Sequence, residues 1–392
     1  MVKVVVCDGH GTLELPNPSD QAYHFREWLR KQNITLAVAS NKTRGRVLRR
    51  FENEDMRPPE IVVTKDDIGK RKPAPEFIAR IAEEANVERR HIVYIGDRVK
   101  TDIITATNAG VLPFAAEYSN PGMEYGLQIP SLQSLAHYLD KFGSAHRPYF
   151  AWWLRRTVVE DVVRIYTLIY DHSWRDSRLR KVTNHLQTVL KEHGNVDLGN
   201  WNVRSVLLYL LISQCYFSGL IHEVDRIAVY PSSNPEKGNP TLEQFSQIMQ
   251  RTFNTPYEPD LITRHTPSNK CQHGNRKLWN QLNTIFIPPR YRGKISGESV
   301  LVIDDFTTSG TSLEAARQLL YQANVSNVYC LAIAKYRKTH EIALMRKDWN
   351  PFEPTEFTES DYRRETVKGK VFDEQDRRFR EQIWSFFEDD HR

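Results

Sequence analysis

An apolar run, Val4-Val5-Val6-Cys7, delivers a carboxylate, Asp8, into the glycine-containing turn Gly9-His10-Gly11-Thr12. A carboxylate at the end of a buried strand lies at the sheet edge where open α/β folds bind ligands, and it is suited to catalysis there. Thr35–Ala39 reads as a second strand and ends in Ser40-Asn41. Lys72 stands in Lys-Pro-Ala-Pro, and Ile92–Ile95 runs into Gly96-Asp97-Arg98 with Asp102 after it. Any one of these residues alone reads more simply as a helix cap or a solvated charge; the order acid, hydroxyl, ammonium, acid makes them a set. A second constellation lies far along the chain, where a buried-strand pattern, Ser299–Ile303, precedes Asp304-Asp305-Phe306-Thr307-Thr308-Ser309-Gly310-Thr311-Ser312 and an amphipathic helix. The free N–H groups of such a turn at a helix N-terminus can hold a phosphate, with hydroxyls adding bonds and Gly310 permitting close approach. Paired carboxylates beside it suit the two hydroxyls of a ribose.

Over residues 1–140 the ordered motifs resemble the haloacid dehalogenase superfamily of phosphatases and phosphotransferases. The resemblance implies Asp8 as the nucleophile that becomes aspartyl-phosphate, with Ser40 and Lys72 on the phosphate oxygens. It also implies a Mg2+ ion held by Asp8, Asp97 and the backbone carbonyl of His10, with Asp102 supporting that site. One residue departs from the family pattern Asp-x-Asp-Gly-Thr: His10 replaces the aspartate that normally serves as acid and base. The backbone ligand survives this change, and an imidazole can itself move protons near neutral pH. The links after Leu13 and Ser40 are too short for a large inserted cap, so the site is expected to be open or covered by another domain.

The segment from Asp304 to Ser312 resembles the phosphoribosyl-pyrophosphate motif of type I phosphoribosyltransferases, including competence-protein F-like members. On that resemblance Asp304 and Asp305 orient the ribose, while Thr307, Thr308, Ser309, Gly310, Thr311 and Ser312 cradle the 5′-phosphate. Ile227–Tyr230 leads into Pro231-Ser232-Ser233-Asn234, placed like the family's pyrophosphate loop, with Ser232 and Ser233 as diphosphate contacts. The polar, basic stretch between Arg264 and Asn283 resembles the mobile catalytic loop, with Arg264, Lys270 and Arg276 as pyrophosphate cations. The implied reaction is attack of a nitrogen acceptor on the anomeric carbon of phosphoribosyl pyrophosphate, with departure of magnesium pyrophosphate. Catalysis then rests on positioning and electrostatics. The acceptor base is not legible.

These residues need elements to hold them. From residue 1 to about 140, short apolar runs alternate with amphipathic stretches, the rhythm of a parallel sheet with crossover helices. Between 141 and 219 Trp152–Tyr170, Ser177–His193 and Val203–Ser218 read as three helices, a linker or insert. The alternation returns over 220–340, and 341–392 reads as a charged extension with a helix over Glu374–Phe387. The expected fold class is therefore α/β: two three-layer parallel-sheet domains joined by a helical segment. The chain has 392 residues, 40% hydrophobic and 26% charged, enough apolar material for two or three cores and too much for disorder. No apolar run approaches the length of a spanning helix, and the first residues lack a signal-peptide pattern, so a cytoplasmic protein without a membrane partner is expected. Four cysteines without paired spacing suggest neither disulfides nor zinc, and a net charge of +5 permits nucleic-acid binding without indicating it. The leading reading is a bifunctional enzyme of nucleotide-like metabolism that transfers a phosphoribosyl group and hydrolyses a phosphate monoester, in series. The alternative is a regulatory or defence protein that binds phosphoribosyl pyrophosphate or nucleic acid and carries a degenerate phosphatase domain.

Overall fold

A computed structural model of the chain describes residues 1–8, 11–13, 20–123, 125–143, 150–158, 161–170, 177–192, 194, 197–198, 201–268 and 277–371. They form two compact units. The first comprises Met1–Arg147 with Cys215–His222 and Ile248–Asn254, and the second holds Pro148–Gln214, Glu223–Gln247 and Thr255–Arg392.

The first unit is built on strands β1 (Val4–Cys7), β2 (Thr35–Ser40), β3 (Ile61–Thr64), β4 (Ile92–Gly96), β5 (Leu112–Ala116) and β6 (Leu127–Ile129). They lie in the order β3-β2-β1-β4-β5-β6, and every pairing is parallel. β1 is an unbroken apolar run because it is central: all four of its residues are buried, as a strand covered on both faces requires. Crossover helices present apolar stripes to the core; Asp20–Lys31 buries Ala22, Phe25 and Leu29, and Glu76–Ala85 buries Phe77, Ile78 and Ile81. The chain winds outward from β1 to β3, then crosses back to place β4 on the other side of β1. The strand order thus reverses between β1 and β4, and such a switch point opens a crevice at the carboxyl ends of the two strands.

The second unit departs from expectation. Trp152–Tyr170 is not a helix; it forms β7 (Trp152–Val158) and β8 (Asp161–Tyr170), an antiparallel pair. The short pair β9 (Asp197–Leu198) and β10 (Trp201–Asn202) follows, then β11 (Arg226–Val229), the antiparallel β12 (Thr263–Arg264) and β13 (Ile285–Phe286), β14 (Ser299–Thr307) and β15 (Asn327–Lys335). β16 (Thr339–Met345) pairs with β17 (Tyr362–Lys368), and β18 (Lys370–Val371) closes the main sheet. That sheet has the order β11-β14-β15-β8-β7-β18 and is mixed, not parallel: its first four strands are parallel and the last two pairings are antiparallel. The 141–219 segment is therefore not wholly helical, although Ser177–Lys191 and Val203–Phe217 are helices. Tyr362–Lys368 and Lys370–Val371 of the charged extension are strands as well; the helix expected over 374–387 lies outside the described residues.

The hairpin forms because β-branched Val162, Val163, Ile165, Thr167 and Ile169 are stiff at χ1 and pack well on a pleated surface. Val163, Ile165 and Thr167 are buried, while Val162, Arg164 and Tyr166 between them are half-buried. Trp152, fully buried, joins a core with Val163, Ile165, Val300, Val302 and Cys330. Cys7, Cys215 and Cys330 are buried free thiols, and Cys271 lies outside the described residues. Among the described residues no helix is long and apolar enough to cross a membrane.

Candidate active site

At the β1/β4 switch point Cys7 pairs in register with Val38 on one side and Ile95 on the other, so Asp8 emerges beside the ends of both β2 and β4. The Lys72 ammonium reaches across to it, donating to Asp8 Oδ1 at 2.6 Å, to Asp102 Oδ1 at 2.6 Å and toward the Tyr94 hydroxyl at 3.2 Å. Asn41 positions this lysine by accepting its backbone N–H at 2.8 Å. Asp102 is fully buried and committed as a brace: besides Lys72 it accepts from the Arg98 N–H at 3.1 Å. It sits on a wide helical turn, Val99–Ile103, packed so closely that a Cβ on Gly96 would fall 2.2 Å from its own Cβ. Ser40 is buried at the end of β2, with its Oγ accepting from the Lys42 N–H at 3.2 Å.

Burial raises the Asp8 carboxyl above the usual range against the pull of Lys72. Burial and the charges of Asp102 and Asp8 do the same to Asp97. Burial alone would discharge Lys72, but Asp102 and Asp8 outweigh it and hold the ammonium charged. A divalent cation fits this donor set. One oxygen each of Asp8, Asp97 and Asp102 lie within 4.8 Å of one another, compatible with hard-oxygen coordination. Asp97 Oδ1 is buried without a described hydrogen-bond partner. Gly11, at φ +78°, leaves room for Asp97, since a Cβ there would stand 2.4 Å from Asp97 Oδ2. His10, expected to add its carbonyl and imidazole, lies outside the described residues.

In the second unit β14 carries Asp304 and Asp305 to the carboxyl edge of the sheet. Asp304 Oδ1 accepts the Asp305 N–H at 2.9 Å, and Asp305 Oδ2 stands 3.9 Å from the Lys191 ammonium. The turn that follows is bonded inward through all its carbonyls. Thr307 accepts from Tyr336 N–H at 3.1 Å, Ser309 from Glu341 N–H at 2.8 Å, and Gly310 from Glu314 N–H at 2.9 Å. Thr308 accepts from the Lys335 ammonium at 2.9 Å. Conversely, no N–H from Thr308 to Leu313 has an acceptor among the described residues. Gly310 takes the left-handed conformation, φ +86°, ahead of the helix Thr311–Gln322, and a Cβ there would fall 1.8 Å from the His340 ring. His340 is fully buried, and neither ring nitrogen has a hydrogen-bond partner among the described residues; Lys335 is fully buried 4.6 Å from the Trp152 ring centre.

The structure brings Asp8, Lys72, Asp97 and Asp102 together and places Ser40 at the same sheet edge. It gathers Asp304, Asp305 and the Thr307–Ser312 turn at one edge of the other sheet. Ser232 and Ser233 are half-buried after β11, and Ser233 accepts the Ser268 N–H at 2.9 Å. Arg264 is buried in β12, and its guanidinium donates to the Ser232 carbonyl at 2.7 Å, to Gln281 Oε1 at 3.2 Å and to the Thr284 hydroxyl, beside a cavity it lines with Pro231, Ser232 and Asn234. Lys270 and Arg276 lie outside the described residues, between β12 and β13. Sequence reasoning missed Asn41, Tyr94, Lys335 and His340. Tyr94 had one signal, a lone hydroxyl in the apolar run Ile92–Ile95; Asn41 had only its place at a strand end, and the two buried bases had none.

Residues 10–116 match the model of the haloacid dehalogenase-like hydrolase family, so the first unit contains a haloacid dehalogenase-like hydrolase domain. Among solved structures the chain is similar to a HAD phosphatase from Thermococcus onnurineus, at 22% identity and TM-score 0.28, over 31% of this chain and 58% of that one. A Had-superfamily hydrolase from Ehrlichia chaffeensis is 25% identical with TM-score 0.28, over 32% of this chain and 58% of that one. A protein from Bacillus subtilis described as a HAD-hydrolase and bound to magnesium is 22% identical with TM-score 0.28, over 31% and 55% of the respective chains. The chain thus spans little more than half the length of these three proteins. No curated protein matches the sequence.

Proposed function

We propose that the first unit hydrolyses phosphate monoesters with Asp8 as nucleophile. The observation that carries this reading is the Lys72 ammonium, 2.6 Å from both Asp8 and Asp102, at the switch point beside Asp97. Lys72 pulls the Asp8 carboxyl toward its ionised form against the effect of burial and stands ready for a phosphoryl oxygen, and Ser40 offers a hydroxyl to another. An Asp8 oxygen bonds to phosphorus as the ester P–O bond breaks, and the leaving oxygen takes a proton from His10 or water. Water then attacks the aspartyl-phosphate, giving inorganic phosphate and restoring the carboxylate. Asp8, Asp97 and the His10 carbonyl would hold magnesium, which supplies charge to offset that building on the phosphoryl group. Asp8→Asn should abolish magnesium-dependent hydrolysis of p-nitrophenyl phosphate; activity surviving that change excludes the assignment.

We infer further that the second unit binds phosphoribosyl pyrophosphate and passes its phosphoribosyl group to a nitrogen acceptor. The run of unengaged N–H groups from Thr308 to Leu313 favours this reading, because inward-bonded carbonyls leave a turn that presents only donors. Asp304 and Asp305 would orient the ribose, and Ser232 and Ser233 the diphosphate. The transferred product keeps a 5′-phosphate, itself a monoester, so the two activities would act in series. Calorimetry with phosphoribosyl pyrophosphate and magnesium tests the binding, which the Asp304→Asn, Asp305→Asn double variant should lose. In extracts supplied with pooled bases the wild type should accumulate a dephosphorylated nucleoside-like compound and Asp8→Asn its 5′-monophosphate. An unchanged final metabolite in Asp8→Asn defeats the serial model.

A further inference from the structure

Of the four donors that tie down the Thr307–Gly310 carbonyls, three are backbone N–H groups and one is titratable, the ammonium of Lys335. No described carboxylate lies within ion-pair reach of it. The groups packed around it are neutral or positive. β14 offers the Thr308 carbonyl, β7 the Trp152 ring, and β16 the buried His340; beyond β15 stands Arg337. On the helix behind the turn Arg317 is paired with Glu314 at 2.6 Å, and Asp305 is shared with its neighbour's N–H and with Lys191. A fully buried ammonium in such surroundings is costly unless something anionic offsets it.

We propose that Lys335 is the positioning residue of the phosphate turn: its ammonium anchors the Thr308 carbonyl inward and so aims the N–H row at the ligand, and the bound anion in return favours the charged ammonium. The proposal rests on the phosphate-binding reading of the turn. It makes ligand binding and protonation of one lysine mutually dependent. Burial, with Arg337 nearby, lowers the Lys335 pKa to about 7, so the free protein near neutral pH holds a mixture of the two forms. An anion on the turn raises that pKa, because it favours the charged form. The sign follows: affinity is full at pH values below the free pKa and falls as pH rises through it toward the pKa of the bound state. Phosphate's own second ionisation, near pH 6, lies below this window.

Calorimetry of the full chain with phosphoribosyl pyrophosphate and magnesium, in two buffers of different ionisation enthalpy, reads the proton directly. At pH 7.5 the wild type should take up a fraction of one proton per ligand, and from pH 7 to 9 affinity should fall by up to about tenfold per pH unit, the limit for one linked proton. Lys335→Met, close in shape, should bind more weakly at pH 7, take up no proton and show a flat profile. Lys335→Arg, charged throughout, should also be flat in pH but tighter than Lys335→Met. Ligand binding without proton uptake overturns the role of Lys335 and leaves the turn assignment standing. Uptake that persists in Lys335→Met and vanishes in His340→Gln gives the proton to the histidine and overturns it too. Absence of binding in the wild type at every pH defeats the phosphate reading of the turn, and this inference with it.

Discussion

Lys72 and Lys335 are both buried ammonium groups, and they resolve the cost of burial in opposite ways. Lys72 has two carboxylates at 2.6 Å and stays charged; Lys335 has a carbonyl and a ring. Asp102→Asn should therefore destabilise the first unit by about 3 kcal/mol, since it breaks a buried pair. It should also cut phosphatase kcat by about a hundredfold or more, the scale of losing one preorganised electrostatic partner. Thermal melts and steady-state kinetics on the same preparation check both. Lys335→Met should act in the other direction. The folded pKa of about 7 lies below the ordinary 10.5, so the unfolded chain binds more protons between those values and burying the lysine destabilises the fold. That penalty is full below pH 7 and fades as pH rises to 10.5, and its upper bound is on the order of 5 kcal/mol. Lys335→Met should thus melt higher than the wild type at pH 7, with an advantage that narrows toward pH 10. A variant that is more stable yet binds ligand less well separates a positioning role from a merely structural one.

At the scale of elements, what was legible followed from local grammar. A short apolar run ending in an acid reads as a central strand with the acid at its tip; Asp8 and Asp97 directly follow β1 and β4, whereas β14 continues through Asp304 and Asp305 to Thr307. The hairpin over Trp152–Tyr170 was not legible because a long aromatic and apolar stretch fits a buried helix as well as a strand pair. The β-branched residues of β8 were the cue that should have decided it. Lys335 was hidden for a different reason: its partner, Thr308, is 27 residues away, and only the parallel register that sets Lys335 opposite Thr307 brings them together. The place of Arg264 in β12 was not legible from charge alone: it reaches 32 residues back to the Ser232 carbonyl, a contact only the fold brings about. Since β8 completes the parallel part of the second sheet, Ile165→Ala should destabilise that unit by about 2–5 kcal/mol. The first unit's melting should hardly move, a separation visible by following unfolding with a ligand for each unit.

The first unit borrows from far along the chain. Tyr216, fully buried within Cys215–His222, donates its hydroxyl toward the carbonyls of Arg89 and Ile92, each at 2.6 Å. Thr107 Oγ1 donates to the Thr252 carbonyl at 3.2 Å. Tyr216→Phe should destabilise the first unit by about 1–3 kcal/mol, the penalty of a buried polar group left unpaired. A fragment of residues 1–147 should be less stable than the first unit of the full chain, as chemical denaturation of both would reveal; equal stability would mean the late segments contribute nothing. This interleaving also governs how the molecule is made. On the ribosome, residues 1–147 emerge first, but the unit they begin is complete only after Ile248–Asn254 has been synthesised, roughly a hundred residues later, or about 5–20 s at ordinary elongation rates. Until Tyr216 has been synthesised, the carbonyls of Arg89 and Ile92 lack the hydroxyl that covers them in the folded unit. The first unit can therefore close only after residue 254, and a translational pause between residues 147 and 254 would prolong its incomplete state.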